Sequence, residues 1–235
     1  MTEAAIPTLR YFSDVLCFWA YVSQIRLDEL RHQFGGRIKM EYHFMPLFGH
    51  VGEWIELRWQ ARGGLNGYAR HVQQMARPFD HISLHPELWQ RNVPASSAGC
   101  HEFLKAVQSL EQDGFIAADP QPQYDGRTLF EETLWRCRLA FFRDLRNIAQ
   151  RSVQEEIATD MGLPLTALRE RLDDGRALAA LCADFSAKER FLVEGSPTFL
   201  FPGGRQKLYG NVGYRIIEAN LHELLDHHDT RASWC

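Results

Sequence analysis

Strand patterns in this 235-residue chain occur near its two ends, and a long helical pattern separates them. Residues 8–12 and 38–44 have the composition of strands and enclose an apolar helix, which begins at Cys17 and stops at Gly35-Gly36. Residues 198–201 and 206–209 form a second pair of strand patterns, and a final amphipathic helix follows them. The two ends therefore predict a β-α-β unit and a β-β-α unit of one α/β domain, with a helical block inserted between them.

The middle of the chain carries helical stripes and no strand pattern. One stripe consists of Phe130, Leu134, Cys137, Phe141, Leu145 and Ile148, and a second of Leu178, Leu181, Cys182 and Phe185. These stripes place Cys137 and Cys182 in a core. We expect a helical domain over residues 49–190, inserted into a discontinuous domain of residues 1–48 and 191–235.

The composition is that of a globular protein with a full core. Hydrophobic residues make up 45% of the chain and charged residues 24%, which excludes a disordered chain. The 26 basic residues are outnumbered by 30 acidic ones, so we expect no nucleic-acid partner. Apolar stretches such as residues 15–22 are far shorter than the ~20 residues that cross a bilayer, so we expect no membrane partner.

Five scattered cysteines argue against a disulfide framework and against a zinc site. They are Cys17, Cys100, Cys137, Cys182 and Cys235. No pair has the two-residue spacing of a zinc knuckle or a redox dithiol. The most zinc-like histidines, His222 and His227, are five residues apart and so face different sides of a helix, and we expect no metal. The first residues have no secretory signal pattern, which favours a reducing, cytoplasmic location.

Local patterns resemble the DsbA family of thioredoxin-fold proteins. Residues 12–21 (FSDVLCFWAY) are similar to the active-site entry of its cytoplasmic members, S-D-x-x-C-P-W-C-Y, and residues 195–199 (GSPTF) to its cis-proline loop, G-V-P-T-F. Gly210 before the last helix resembles the family's final turn, and residues 94–104, which contain Cys100-His101, resemble a weaker helical signature. The resemblance covers nearly the whole chain. It implies a thioredoxin fold with a large all-helical insertion domain.

The chain departs from the redox family at the second cysteine of the motif. Where the family has C-x-x-C, this chain has Cys17-Phe18-Trp19-Ala20, so the nucleophile's position is kept and the resolving position is Ala20. A single thiol forms mixed disulfides or acts without redox change. The resemblance thus implies a monothiol thiol–disulfide oxidoreductase with glutathione as co-substrate. The alternative is a kappa-class-like glutathione transferase or a 2-hydroxychromene-2-carboxylate isomerase, which belong to the same branch, and a third hypothesis is a non-catalytic binding module.

The resemblance also implies the site residues. Cys17 is the expected nucleophile, and the backbone beside a cis Pro197 is expected to pair with a thiol substrate. The residues expected to bind substrate or glutathione are Trp19, Tyr21, Ser196, Pro197 and Asn211. Ser196 is polar where the family often has Val or Thr, so its hydroxyl is a candidate to face Cys17. Residues 210–215 (GNVGYR) lack the acid–basic pair that holds a glutathione carboxylate in the kappa branch.

Two opposing effects act on the Cys17 thiol. A cysteine at the first turn of a helix faces the positive end of the helix dipole, which lowers its pKa. Burial among its apolar neighbours Val15, Leu16 and Phe18 raises it. The family motif favours the reactive thiolate, whereas composition alone favours a buried thiol.

Aromatic residues near the motif indicate either a pocket for an apolar co-substrate or ordinary core packing. They are Phe18, Trp19, Phe48, Trp54 and Trp59. The expected partner is a small-molecule thiol or disulfide, and the sequence leaves a homodimer open.

Overall fold

The sheet is built from both ends of the chain, as the sequence predicts. A computed structural model describes residues 6–204 and 206–226, and its four strands lie in the order β2-β1-β3-β4. Their bounds are β1 (Thr8–Ser13), β2 (Lys39–Phe44), β3 (Thr198–Leu200) and β4 (Lys207–Tyr209). β1 pairs with β2 in parallel and with β3 antiparallel, and β3 pairs with β4 antiparallel. Tyr11 of β1 therefore lies between Tyr42 and Phe199.

All the helices between β2 and β3 belong to the inserted segment. They are α3 (Val51–Trp59), α4 (Gly64–Ala76), α5 (Ala98–Gln112), α6 (Leu129–Phe142), α7 (Arg151–Asp160), α8 (Leu165–Asp173) and α9 (Arg176–Arg190). A short 3-10 turn, Gln60–Arg62, joins α3 to α4. The prediction of a thioredoxin fold with a helical insertion is confirmed. The domain bounds proposed from the sequence, 49–190 for the insertion, fall in the loop before α3 and at the end of α9.

The N-terminal helix is two helices rather than the one predicted. α1 (Phe18–Val22) and α2 (Gln24–Phe34) meet at Ser23, whose N–H donates to the Trp19 carbonyl and whose carbonyl accepts from the Leu27 N–H. Ser23 both ends one helix and begins the next, and its hydroxyl accepts from Nη1 of Arg26 rather than capping the helix backbone. Cys17 therefore starts a helix of only five residues.

Two helices from opposite ends of the chain lie side by side. α2 buries Leu27, Leu30 and Phe34, the face that the sequence predicts. α10 (Tyr214–Asp226) buries Ile217 and Leu221. The ring of Phe34 lies 5.2 Å from that of His222, so α2 and α10 pack against each other. Together with the pairing of β1 and β3, this contact joins the β-α-β and β-β-α units into one domain.

The insertion packs directly on the sheet. His101 of α5 stacks on Phe44 of β2 at 5.1 Å, and Phe130 of α6 lies 5.4 Å from Tyr42. The buried Asp184 of α9 accepts the Phe44 N–H at 2.8 Å and lies 2.8 Å from Nδ1 of His43. The larger of two apolar clusters runs from β1 into α5 and α6, and the smaller consists of Phe12, Met45, Val193 and Leu200. The insertion is thus attached to the sheet by both apolar and polar contacts.

One of the two predicted helical stripes is confirmed, and the other is wrong for Leu178 and Cys182 but right for Leu181. In α6, Phe130, Leu134, Cys137 and Phe141 are buried as predicted, although the helix ends at Phe142. In α9, by contrast, Leu178 is 50% exposed and Cys182 is exposed. The buried side of α9 is formed by Ala177, Leu181 and Asp184. The polar Asp184 faces β2, so the apolar pattern alone pointed to the wrong side of the helix.

In the part of the chain that the structure describes, no helix is long and apolar enough to cross a membrane.

Candidate functional site

Cys17 lies where strand β1 turns into helix α1, in contact with the loop that precedes β3. It is the N-cap residue of α1, and its N–H donates to the Asp14 carbonyl at 3.1 Å. Its Sγ donates to the Ser196 carbonyl at 3.2 Å. The residue is only 4% exposed. The Cys17 thiol is therefore in direct contact with the backbone of the loop that contains Pro197 and precedes β3.

The Ser196–Pro197 peptide bond is cis, as the family resemblance implies. The Ser196 hydroxyl accepts the Asp14 N–H at 2.9 Å, and the Pro197 carbonyl accepts the Gly210 N–H at 2.9 Å. Ser196 thus contacts the Cys17 segment through both its carbonyl and its side chain. The expectation that this backbone turns toward the cysteine agrees with the geometry.

The carboxylate of Asp14 organises the Cys17 loop and attaches it to the insertion. It is fully buried and accepts hydrogen bonds from the Leu16 N–H at 2.8 Å, the Phe48 N–H at 2.9 Å and the Ser97 hydroxyl at 2.7 Å. Sequence reasoning did not select Asp14 as a site residue. The S-D pair at the start of the family motif was the available signal.

His101 is the histidine that approaches this loop from the insertion. Its Nε2 accepts the Val15 N–H at 3.0 Å and lies 3.6 Å from Oδ1 of Asp14. Nε2 is thus already paired with a backbone N–H of the Cys17 loop, so His101 supports this loop.

Burial raises the pKa of the Cys17 thiol. Hydrogen bonding to the Ser196 side chain and to the N–H groups of Ala20 and Trp19 lowers it, and the charge of Asp14 raises it further. The net effect on the pKa is upward, opposite to the lowering expected from the helix dipole. A helix of five residues has a weak dipole, and desolvation of the buried sulfur outweighs it.

A cavity of about 450 Å³ reaches Cys17 and Ser196 from the surface. All five aromatic residues considered from the sequence line it: Phe18, Trp19, Phe48, Trp54 and Trp59. Tyr21 does not, because its hydroxyl donates to the Ser83 carbonyl at 3.0 Å and its ring stacks on Phe142 at 4.5 Å. Tyr21 was expected to bind substrate or glutathione, but it is not among the residues that line this cavity.

Asn211 also lies away from the cavity lining. It is exposed, and its side-chain oxygen accepts from Nη2 of Arg26 at 2.7 Å. The cation that contacts the Asn211 side chain is thus Arg26 of α2. A role of Asn211 in binding glutathione stays a prediction.

The remaining described cysteines lie away from the lining of the Cys17 cavity. Cys100 and Cys137 are fully buried, Cys182 is exposed on α9, and none of them lines the cavity. Ala20, at the resolving position of the motif, is fully buried. Cys235 lies outside the described residues. Among those residues, no three His, Cys, Asp or Glu side chains are grouped to hold a metal ion, and His227 lies outside them as well.

Neither protein-family models nor curated sequences match this chain. Solved structures do. A candidate protein disulfide isomerase from Nitrosomonas europaea is 13% identical, with a TM-score of 0.72 over 95% of this chain and 99% of that one. The cytosolic disulfide reductase DsbM from Pseudomonas aeruginosa, also solved with glutathione, is 21% identical, with a TM-score of 0.63 over 92% of this chain and 98% of that one.

A third solved structure, a 2-hydroxychromene-2-carboxylate isomerase, is 16% identical, with a TM-score of 0.61 over 94% of this chain and 97% of that one. Similarity at these identities shows the fold. Oxidoreductases and an isomerase share it, so the fold does not choose between the reactions. The chain therefore has the fold of DsbA-like proteins, a thioredoxin domain interrupted by a helical domain.

Proposed function

We propose that the protein is a glutathione-dependent monothiol thiol–disulfide oxidoreductase with Cys17 as its nucleophile. The observation that carries the proposal is the contact between Cys17 Sγ and the Ser196 carbonyl on the floor of the cavity. A substrate disulfide that enters the cavity reaches this sulfur and can pair with the backbone beside Pro197. DsbM, which has the same fold and has been solved with glutathione, supports glutathione as the thiol.

The proposed reaction has two exchange steps. The Cys17 thiolate attacks a disulfide RSSR, forms the mixed disulfide Cys17–S–SR and releases RS⁻. A glutathione thiolate then attacks the mixed disulfide, releases Cys17 as thiolate and leaves with the second R group as RSSG. Glutathione is needed for the second step because no described cysteine other than Cys17 lines the cavity. Such a cycle suits a reducing compartment such as the cytoplasm.

The raised pKa of Cys17 gives the reaction a definite pH dependence. The thiol loses its proton only at a pH above the ordinary range, so the first step accelerates as the pH rises. The N–H groups of Ala20 and Trp19 and the Ser196 side chain are already placed to stabilise the thiolate once it forms.

Intact mass after incubation with oxidised glutathione tests the proposal. The protein used as the background for this and later variants carries two substitutions. Cys182→Ser removes an exposed thiol, and Cys235→Ser removes a thiol that lies outside the described residues. We expect a gain of one glutathione in this protein, faster at high pH, and none after a further Cys17→Ala change. Turnover of a glutathione mixed disulfide should be lost in the same variant. An equal gain with and without Cys17 contradicts the proposal.

A second candidate, a glutathione transferase or isomerase, is favoured by the protonation state of Cys17. A thiol with a raised pKa is a hydrogen-bond donor at neutral pH, as its bond to the Ser196 carbonyl shows. It could donate instead to the thiolate of bound glutathione, next to an aromatic-lined cavity for an electrophile. Glutathione-dependent turnover of an aromatic electrophile without any mixed disulfide would favour this candidate. Absence of both activities, with glutathione still bound, would leave a binding module.

A further inference from the structure

We propose that Arg58 and Arg62 select thiols and disulfides that carry a carboxylate, by binding that carboxylate at the outer part of the Cys17 cavity. The inference rests on the function proposed above, since it assigns the substrate class of the same site. Both side chains line the cavity and both are exposed. We call Trp54, Arg58, Trp59 and Arg62 the arginine–tryptophan wall.

The two arginines lie close together in sequence, at the end of α3 and in the 3-10 turn that follows it. Arg58 comes one turn after Trp54 in α3, whereas Arg62 comes three residues after Trp59, where the backbone leaves α-helical geometry. The guanidinium carbon of Arg58 lies 5.7 Å from the ring centre of Trp54, and that of Arg62 lies 5.5 Å from the ring centre of Trp59. Stacking on an indole holds each guanidinium in place and leaves its N–H edge available.

The two arginines have no acidic partner among the described residues. Other arginines of the chain do: Arg127, for example, lies 2.6 Å from Asp28 and 3.0 Å from Glu132. The residues described as lining the cavity include no Asp or Glu. The chain as a whole has a formal net charge of -4, so this concentration of positive charge is local. It is complementary to an anion that enters the cavity.

The inner part of the cavity is apolar, which defines the rest of the ligand. Phe48, Trp54, Trp59 and Tyr68 surround it, with ring centres of Trp54 and Tyr68 4.9 Å apart. A cavity of about 450 Å³ is of the size that takes a small molecule. The geometry therefore fits a small thiol or disulfide with a carboxylate at one end and an apolar or aromatic part near Cys17. Glutathione conjugates belong to this class, because glutathione has two carboxylates.

A pair of aromatic disulfides tests the charge preference directly. Ellman's reagent is an aromatic disulfide with carboxylates, whereas 4,4′-dithiodipyridine is a neutral one. The rate of each at Cys17 is measured in the Cys182→Ser, Cys235→Ser background and divided by its rate with free N-acetylcysteine. The neutral reagent reports any change in the thiol itself, so the ratio of the two normalised rates reports recognition of the carboxylate.

We expect the wild-type ratio to favour Ellman's reagent, and to fall about fivefold in Arg58→Gln and in Arg62→Gln. The preference should also weaken as salt is added, because the arginines are exposed. Arg37→Gln is the matched control: Arg37 is exposed and stacks on Phe34 at 5.9 Å, but it does not line the cavity. A ratio that stays the same in both wall variants, or that falls equally in Arg37→Gln, overturns the proposal.

A binding measurement separates this inference from the proposed oxidoreductase function. In the Cys17→Ala protein, calorimetry compares S-benzylglutathione with its diethyl ester, in which the carboxylates are blocked. Tighter binding of the free acid, lost in Arg58→Gln and Arg62→Gln, supports the inference even if no disulfide reacts at Cys17. Equal binding of acid and ester overturns the inference, whereas absence of any Cys17 mixed disulfide overturns only the oxidoreductase function.

Discussion

The floor of the cavity and its arginine–tryptophan wall are built in different ways. At the floor, Cys17 and Ser196 are each 4% exposed and meet across a sequence separation of 179 residues. In the wall, residues 54–62 belong to one helix and its extension, and their arginines are exposed. The reactive group thus depends on the whole fold, whereas the arginines of the wall come from one short stretch of the chain. Changes at the floor should alter chemistry and stability together, and changes of the two exposed arginines should alter ligand preference alone.

The change with the largest expected effect introduces a second thiol into α1, at the position that holds the resolving cysteine in the redox family. Ala20→Cys places a thiol in the first turn of α1, three residues after Cys17, as in the redox family. We expect an internal disulfide after oxidation, so that the glutathione adduct on Cys17 no longer accumulates. Intact mass and a count of free thiols measure this. Ala20→Ser is the matched control and should keep the adduct, and an adduct that persists in Ala20→Cys would contradict the prediction.

Among these changes, removal of the Asp14 carboxylate should lower the free energy of unfolding most. Asp14→Ala leaves the buried N–H groups of Leu16 and Phe48 and the Ser97 hydroxyl without their acceptor. We expect the free energy of unfolding to fall by about 3 kcal/mol or more, measured by urea denaturation. Asp80→Ala, at an exposed position, should change it by less than about 0.5 kcal/mol. Equal losses in the two variants would show that Asp14 does not hold the loop.

Gly67 allows α4 to lie close to the arginine–tryptophan wall. A Cβ at Gly67 would lie 1.9 Å from the Arg62 carbonyl oxygen, which is backbone and cannot move aside alone. Gly67→Ala should therefore lower the free energy of unfolding by about 1–3 kcal/mol and reduce the preference for Ellman's reagent. Gly52→Ala is the control on α3, since its Cβ would meet only the His50 ring at 3.4 Å. A stability gain in Gly67→Ala, as helix propensity alone favours, would contradict this packing argument.

The smallest expected effect concerns the ionisation of Cys17. An ordinary thiol has a pKa of about 8.5, so its alkylation rate levels off above that pH. The rate of Cys17 alkylation by iodoacetamide should still rise there, by about tenfold per pH unit. Ser196→Ala removes a hydrogen bond that lowers the pKa of Cys17, so alkylation at pH 8 should slow by less than about tenfold. The exposed Cys182 in the same chain is the internal reference. Faster alkylation of Cys17 in Ser196→Ala than in the unchanged protein would contradict the assigned role of the serine.

Local sequence patterns predicted most of the helices and strands. They failed to predict the surroundings of side chains whose contacts come from distant parts of the chain. Leu27, Leu30 and Phe34 were placed on the buried face of α2 because three apolar residues at helical spacing leave no alternative face. Cys182 was misplaced because the buried side of α9 carries Asp184, whose partners His43 and Phe44 lie on a distant strand. Tyr21 was misplaced for the same reason, since its hydroxyl partner Ser83 belongs to a loop of the insertion.

By itself the sequence determined the succession of strands and helices at the two ends, the helical insertion, the position of Cys17 at a helix start and the absence of a cysteine at residue 20. These follow from periodicity and from residue identity, which are local. Only the tertiary structure decided that Cys17 is buried with a raised pKa, that Asp14 and His101 support its loop, and that Arg58 and Arg62 share its cavity. Desolvation and charge depend on every group packed around an atom, and those groups come from distant parts of the chain.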